Sequence, residues 1–140
     1  MTADEVIAAL ELEAHPEGGF YRQTFRSDGD GRGAATLIHF LLRDGGASHW
    51  HRVDADELWL WHAGAPLVLS VAETDAGPAE ETVLGEGLSF QGVVPKGWWQ
   101  AARTRGDWSL VSCAVAPGFV FEEFELAPVR FDIPRGRGKM

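Results

Sequence analysis

The chain has 140 residues, 45% hydrophobic and 24% charged, enough for one domain whose core needs no staples. A net charge of −9 argues against nucleic acid as the main partner, because a phosphate-binding surface must be basic. No run approaches the roughly 20 apolar residues of a membrane span, the single cysteine excludes an internal disulfide, and Asp4 and Glu5 stand where a signal peptide needs basic residues, so the expected place is the cytoplasm.

The opening "TADEVIAALELEAH" predicts a helix over about 2–14, with Thr2 and Glu5 as a capping box. "HPEGG" then breaks it with Pro16, Gly18 and Gly19. Everything after reads as short strands between turn signals: 20–26, 35–42, 48–53, 57–63, 67–73, 81–85, 89–95, 98–105, 108–116 and 121–127. Seventeen glycines and six tryptophans suit such a pattern better than a helical bundle. A tail over 134–140 reads as flexible. The expected fold is all-β: one domain over 1–140, an antiparallel double-sheet barrel over about 20–127 behind a short helix.

The chemistry concentrates in "ASHWHRVDADELW", residues 47–59. Alternation in a strand points residues i and i+2 to one face, so His49 and His51 project together. A turn at "RVDAD" brings Glu57 back on the next strand, with Trp59 and Trp61 on its face and Leu58, Leu60 and His62 opposite. Two imidazoles and a carboxylate suit a divalent metal (Fe, Mn, Ni or Zn) with positions open for water or substrate.

The motif "HWHRVDADELWLWHAG" resembles the first motif of the cupin superfamily: HxH, three or four residues, Glu, six residues, Gly. Five residues separate His51 from Glu57, one more than usual. Asp56 restores that spacing, while Glu57 keeps the six-residue interval to Gly64 and is preferred. The second cupin motif, Pro-x-Gly-x-x-His, is matched by "PKGWWQAAR", where Gln100 replaces the histidine. A glutamine oxygen is a weaker, harder ligand than imidazole. Together with "HPEGGFYRQTFRS" and "VSCAVAPGFVFEEFELA", these segments resemble a small cupin subfamily catalogued as a domain of unknown function, over roughly 4–127. The resemblance implies a jelly-roll β-barrel, usually dimeric, with a small-molecule pocket at its mouth. It implies no reaction.

The expected metal ligands are therefore His49, His51, Glu57 and Gln100, and the expected pocket wall is Ile38, Phe40, Trp59, Trp61 and Trp98. Three functions compete, in this order. The first is a metal-dependent isomerase or epimerase on a small polar metabolite, with oxygenase chemistry if iron is bound. The second is a non-catalytic small-ligand binder. The third is a metal-free, sugar-nucleotide-epimerase-like enzyme with His49 or His51 as base and Tyr21 as acid. His15 reads as a structural hydrogen-bonding residue, and Arg22 with Arg26 as either an anion grip or salt-bridge partners. His39, His62 and Arg103 belong to outer faces by parity, and Cys113 reads as a small buried hydrophobe.

Overall fold

A computed structural model describes residues 1–29 and 31–136 of the chain. Helix α1 spans Ala3–Leu10, and its first turn carries the capping box between Thr2 and Glu5. It stops earlier than the sequence suggests. Glu11 takes a left-handed conformation at φ 55°, and Leu12 N–H turns back to Ile7 O, which drops Leu12 onto the apolar patch under the helix. Residues 13 and 14 become strand instead of helix.

The strands are β1 Glu13–Ala14, β2 Phe20–Arg26, β3 Thr36–Arg43, β4 Ala47–Val53, β5 Asp56–Gly64, β6 Leu67–Ala72, β7 Glu80–Leu84, β8 Gln91–Val94, β9 Trp99–Thr104, β10 Trp108–Ala116 and β11 Phe124–Leu126. They form two antiparallel sheets in the orders β1-β2-β3-β10-β5-β8 and β11-β4-β9-β6-β7. This is a double-sheet jelly roll whose sheets do not merge into one closed barrel. Alternation supplies its core. Phe40, Leu42, Trp59 and Val111 from the first sheet meet Leu67, Leu69 and Ala102 from the second.

Two smaller clusters cover the outer faces. Val6 of α1 packs on Leu41 outside the first sheet. Trp50 and Trp99, outside the second sheet, are covered by Phe131 and Ile133 of the C-terminal segment. That segment is held further than the sequence suggests: Ala79 N–H donates to Pro134 O, and Gly136 N–H donates to Ala79 O. The rest of the expected tail, 137–140, lies outside the described residues. No helix of the described residues is long and apolar enough to cross a membrane.

Candidate active site

The sheets open at one end around a cavity of about 200 Å³. One side is polar: His15, Glu17, His51, Glu57 and Cys113. The other is aromatic, with Phe119, Phe121 and Phe124 from the segment after β10. Tyr21 and Ile38 close the flank.

The "HPEGG" turn delivers Glu17. His15 N–H bonds Gly19 O and Gly18 N–H bonds His15 O, closing a loop with Gly18 and Gly19 at φ 105° and 78°. Glu17 O then accepts from His49 N–H at 2.7 Å, tying the turn to β4. The buried Glu17 carboxylate accepts from Ser48 Oγ at 2.6 Å and from His51 Nδ1 at 2.7 Å. Burial alone would raise its pKa, but the charge of His51 and these bonds hold it below the ordinary carboxylate value.

His51 is the complement. Burial disfavours its charge, yet Glu17 outweighs burial and lifts its pKa to about 9. Its Nδ1–H also reaches His49 O at 2.7 Å, so Nε2 is the nitrogen left for a ligand. His15 behaves differently. Its Nδ1 accepts from Glu17 N–H at 3.1 Å, so it is neutral, and burial pushes its pKa down. The 3.3 Å approach of His15 Nδ1 to Glu17 is therefore not an ion pair.

Glu57 lies across the cavity. Burial raises its pKa to about 7, moderated by the His51 charge and the Gln100 hydrogen bond and reinforced by Glu17. Gln100 Nε2 donates to Glu57 Oε1 at 2.9 Å, and Trp59 Nε1 donates to Gln100 Oε1 at 2.9 Å. The Cys113 thiol also bonds Glu57, and burial pushes its pKa up.

His49 does not share the face of His51. The β4–β9 register runs Ser48 opposite Ala102, then His51 opposite Gln100, so β4 spends one extra residue there. This bulge resets alternation: Ser48 and His51 both point to Glu17, while His49 turns outward and its Nε2 contacts Pro128 O at 2.8 Å. Of the four expected ligands, the cavity receives His51 and Glu57. Gln100 stands behind Glu57 with its amide oxygen already engaged. Asp56, the alternative to Glu57, is exposed and accepts from Lys96 N–H. Among the described residues, no three His, Cys, Asp or Glu side chains are arranged to hold a metal ion. The donor set does not fit a two-histidine, one-carboxylate centre.

Of the expected wall, Ile38 lines the cavity. Phe40 and Trp59 are core residues, and Trp61 and Trp98 pack against that core. None of these four lines the cavity. Arg22 sits opposite His39 on the outer face, and Arg26 bonds Gly31 O, so neither lines the cavity. Arg103 pairs with Glu81 at 2.8 Å, and His62 bonds Ser112 at 2.6 Å on the outer face.

The model of the family described as Cupin superfamily (DUF985) matches residues 4–127. The chain belongs to this cupin family. Among solved structures, this cupin is similar to a Shewanella oneidensis protein, with 42% identity and a TM-score of 0.84 over 91% of this chain and 85% of that one. A hypothetical protein from Leishmania major shares 33% identity at a TM-score of 0.82, over 91% and 88%. Oxalate decarboxylase from Bacillus subtilis shares the cupin fold at 13% identity and a TM-score of 0.65, over 81% of this chain and 29% of that one. No curated protein matches.

Proposed function

We propose that this cupin is a proton-transfer enzyme, an isomerase or epimerase acting on a small polar metabolite without a bound metal. The observation that carries the reading is the facing pair of buried groups: Glu57, titrating at about 7, and His51, held as imidazolium by Glu17 with a value of about 9. A base poised near neutrality beside a fixed positive charge is what abstraction of a proton next to a carbonyl needs. Glu57 carboxylate takes the C–H proton. His51 Nε2–H protonates the developing oxyanion to give an enediol. Glu57 returns the proton to the adjacent carbon while His51 takes the proton of the neighbouring hydroxyl, which completes an isomerisation. Epimerisation at the same carbon would instead need Tyr21 to deliver a proton to the opposite face. Tyr21, whose pKa burial and Glu13 raise, stays protonated and can donate at the flank. His51 therefore enters the reaction as acid, not base.

The cavity also bears on the substrate. Its volume of about 200 Å³ lies below the roughly 300–1,000 Å³ of drug-sized sites, so the occupant is small. No lysine or arginine lines it among the described residues, and two carboxylates do. An uncharged hydroxy-carbonyl compound with an apolar edge for the phenylalanines fits this wall better than a phosphate or dicarboxylate. Binding without turnover is the second reading, since the same wall holds a ligand whether or not Glu57 acts. The metal-dependent reading is weaker here: Bacillus subtilis oxalate decarboxylase has Mn(II) centers, but His49 and Gln100 are turned away from such use in this chain.

The test is solvent exchange. Chelator-treated protein in deuterium oxide, given a panel of small hydroxy-aldehydes and hydroxy-ketones, should wash deuterium into the carbon next to the carbonyl of at least one. Glu57→Gln should slow it by about 10²- to 10⁴-fold. Tight binding with no exchange supports the binding-module reading, and exchange that appears only on adding Mn²⁺, Fe²⁺ or Zn²⁺ supports the metal-dependent one.

A further inference from the structure

Behind Glu57 runs a buried chain of two hydrogen bonds: Trp59 Nε1 to Gln100 Oε1, then Gln100 Nε2 to Glu57 Oε1, each 2.9 Å. Trp59, Gln100 and Glu57 are 1%, 0% and 7% exposed. An indole nitrogen can only donate. Gln100 must therefore give Trp59 its oxygen and Glu57 its NH₂. Turned over, the amide would set two donors face to face at Trp59 and an oxygen against a carboxylate, leaving buried groups unpaired. The indole thus dictates which end of Gln100 Glu57 meets.

An NH₂ aimed at a carboxyl oxygen favours the ionised form over the protonated one. We propose that Trp59 and Gln100 form a positioning relay that fixes one oxygen of Glu57 and favours its carboxylate, occupying the place where the cupin motif carries a metal ligand. The inference rests on the reading of Glu57 as the proton carrier and deepens it. Burial pushes Glu57 strongly towards its neutral form, and Glu17 adds to that; His51, Gln100 and the Cys113 thiol act against it. Without the relay, one buried oxygen of Glu57 would lose its hydrogen-bond donor and its fixed orientation.

Side-chain NMR on the full chain tests this directly. With labelled Glu carboxyl, Gln carboxamide and Trp indole groups, the Gln100 carboxamide and the Glu57 carboxyl should titrate with one shared midpoint. The Trp59 N–H should exchange slowly throughout. Gln100→Met, which keeps length and removes the donor, should raise the Glu57 midpoint by roughly one to two pH units, the size of a hydrogen bond to a charged group. Trp59→Phe should raise it less, because the amide is freed rather than lost. Manganese(II) added to the wild-type protein should not selectively broaden Glu57 or His51. Separate midpoints in the wild type, an unchanged midpoint in the folded variants, or selective broadening by manganese(II) overturns the relay. The wild-type coupling needs no variant to fold. Intact coupling with no solvent exchange would sink the functional reading and leave the relay standing.

Discussion

In the proposed reaction Glu57 and His51 work as a pair, both with raised pKa values, about 7 and about 9. The active form needs Glu57 ionised and His51 protonated. Raising the pH ionises Glu57 near 7 and discharges His51 near 9. The exchange rate should therefore follow a bell between those limits, reported as macroscopic values of the coupled set. Glu57→Gln should lower turnover by about 10²- to 10⁴-fold, the usual worth of a placed acid–base group, while ligand binding persists. A second contrast separates the two histidines of the HxH motif. His49→Ala should leave the rate within a few-fold, because its ring contacts Pro128 outside the pocket; His51→Gln should abolish it. Equal losses in both variants would contradict this placement.

At the level of elements, most of the fold was legible and part of the site was not. Glycine-rich turns and apolar alternation mark every long strand, and the capping box marks the helix start. That His51, Glu57 and Gln100 come close together was legible in the turn after β4 and the Pro-x-Gly corner, but Gln100 bonds Glu57 and does not line the cavity. His49 was misplaced because one extra residue in β4 breaks the two-residue period, and nothing in "SHWHRV" announces a bulge. Glu17 was missed as the partner of His51, since its contact crosses 34 residues of sequence and arises from the folded turn. The visible signal was the paired glycines. Gly18 lies in the left-handed region, and a Cβ there would meet the Ala47 carbonyl oxygen. Gly18→Ala should push the turn off β4, cost about 1–3 kcal/mol in unfolding free energy, and reduce exchange by displacing Glu17. Lost stability with a wild-type rate would show that the turn does not position the carboxylate.

Over the whole molecule, the buried pair makes stability depend on pH in a stated direction. His51 titrates higher folded, at about 9, than unfolded, at roughly 6.5, so its contribution is complete below 6.5 and fades as the pH climbs to 9. Glu57 acts the same way over a lower window, from roughly 4.3 to about 7, because the fold favours its protonated form. Glu17, lowered in the fold, opposes them only on the acid side. The melting temperature should thus fall between pH 7 and 9, with up to about 3 kcal/mol from His51. In His51→Gln that slope should flatten. A wild-type curve that rises towards pH 9 would contradict the pairing.

The outer face of the first sheet raises the question of a second copy. The registers place Phe25 opposite Leu37, Leu37 opposite Ala114, Ala114 opposite Leu58 and Leu58 opposite Val93, one apolar row across β2, β3, β10, β5 and β8. Phe25, Leu58 and Val93 are 54%, 42% and 60% exposed. Five strands at about 4.8 Å spacing make the row roughly 19 Å long, too small to be a whole interface of about 800 Å² per partner but the right length for its centre. We propose a homodimer paired through this face. A two-fold axis through it would repeat every contact, so one substitution acts twice. Leu58→Glu would set two unpaired charges near the axis, while its side chain points away from the cavity that Glu57 lines. Sedimentation should show a dimer for the wild type at micromolar concentration and a monomer for Leu58→Glu, with solvent exchange by each subunit retained. A wild-type monomer at that concentration, or a Leu58→Glu variant that still pairs, would rule this face out as the interface.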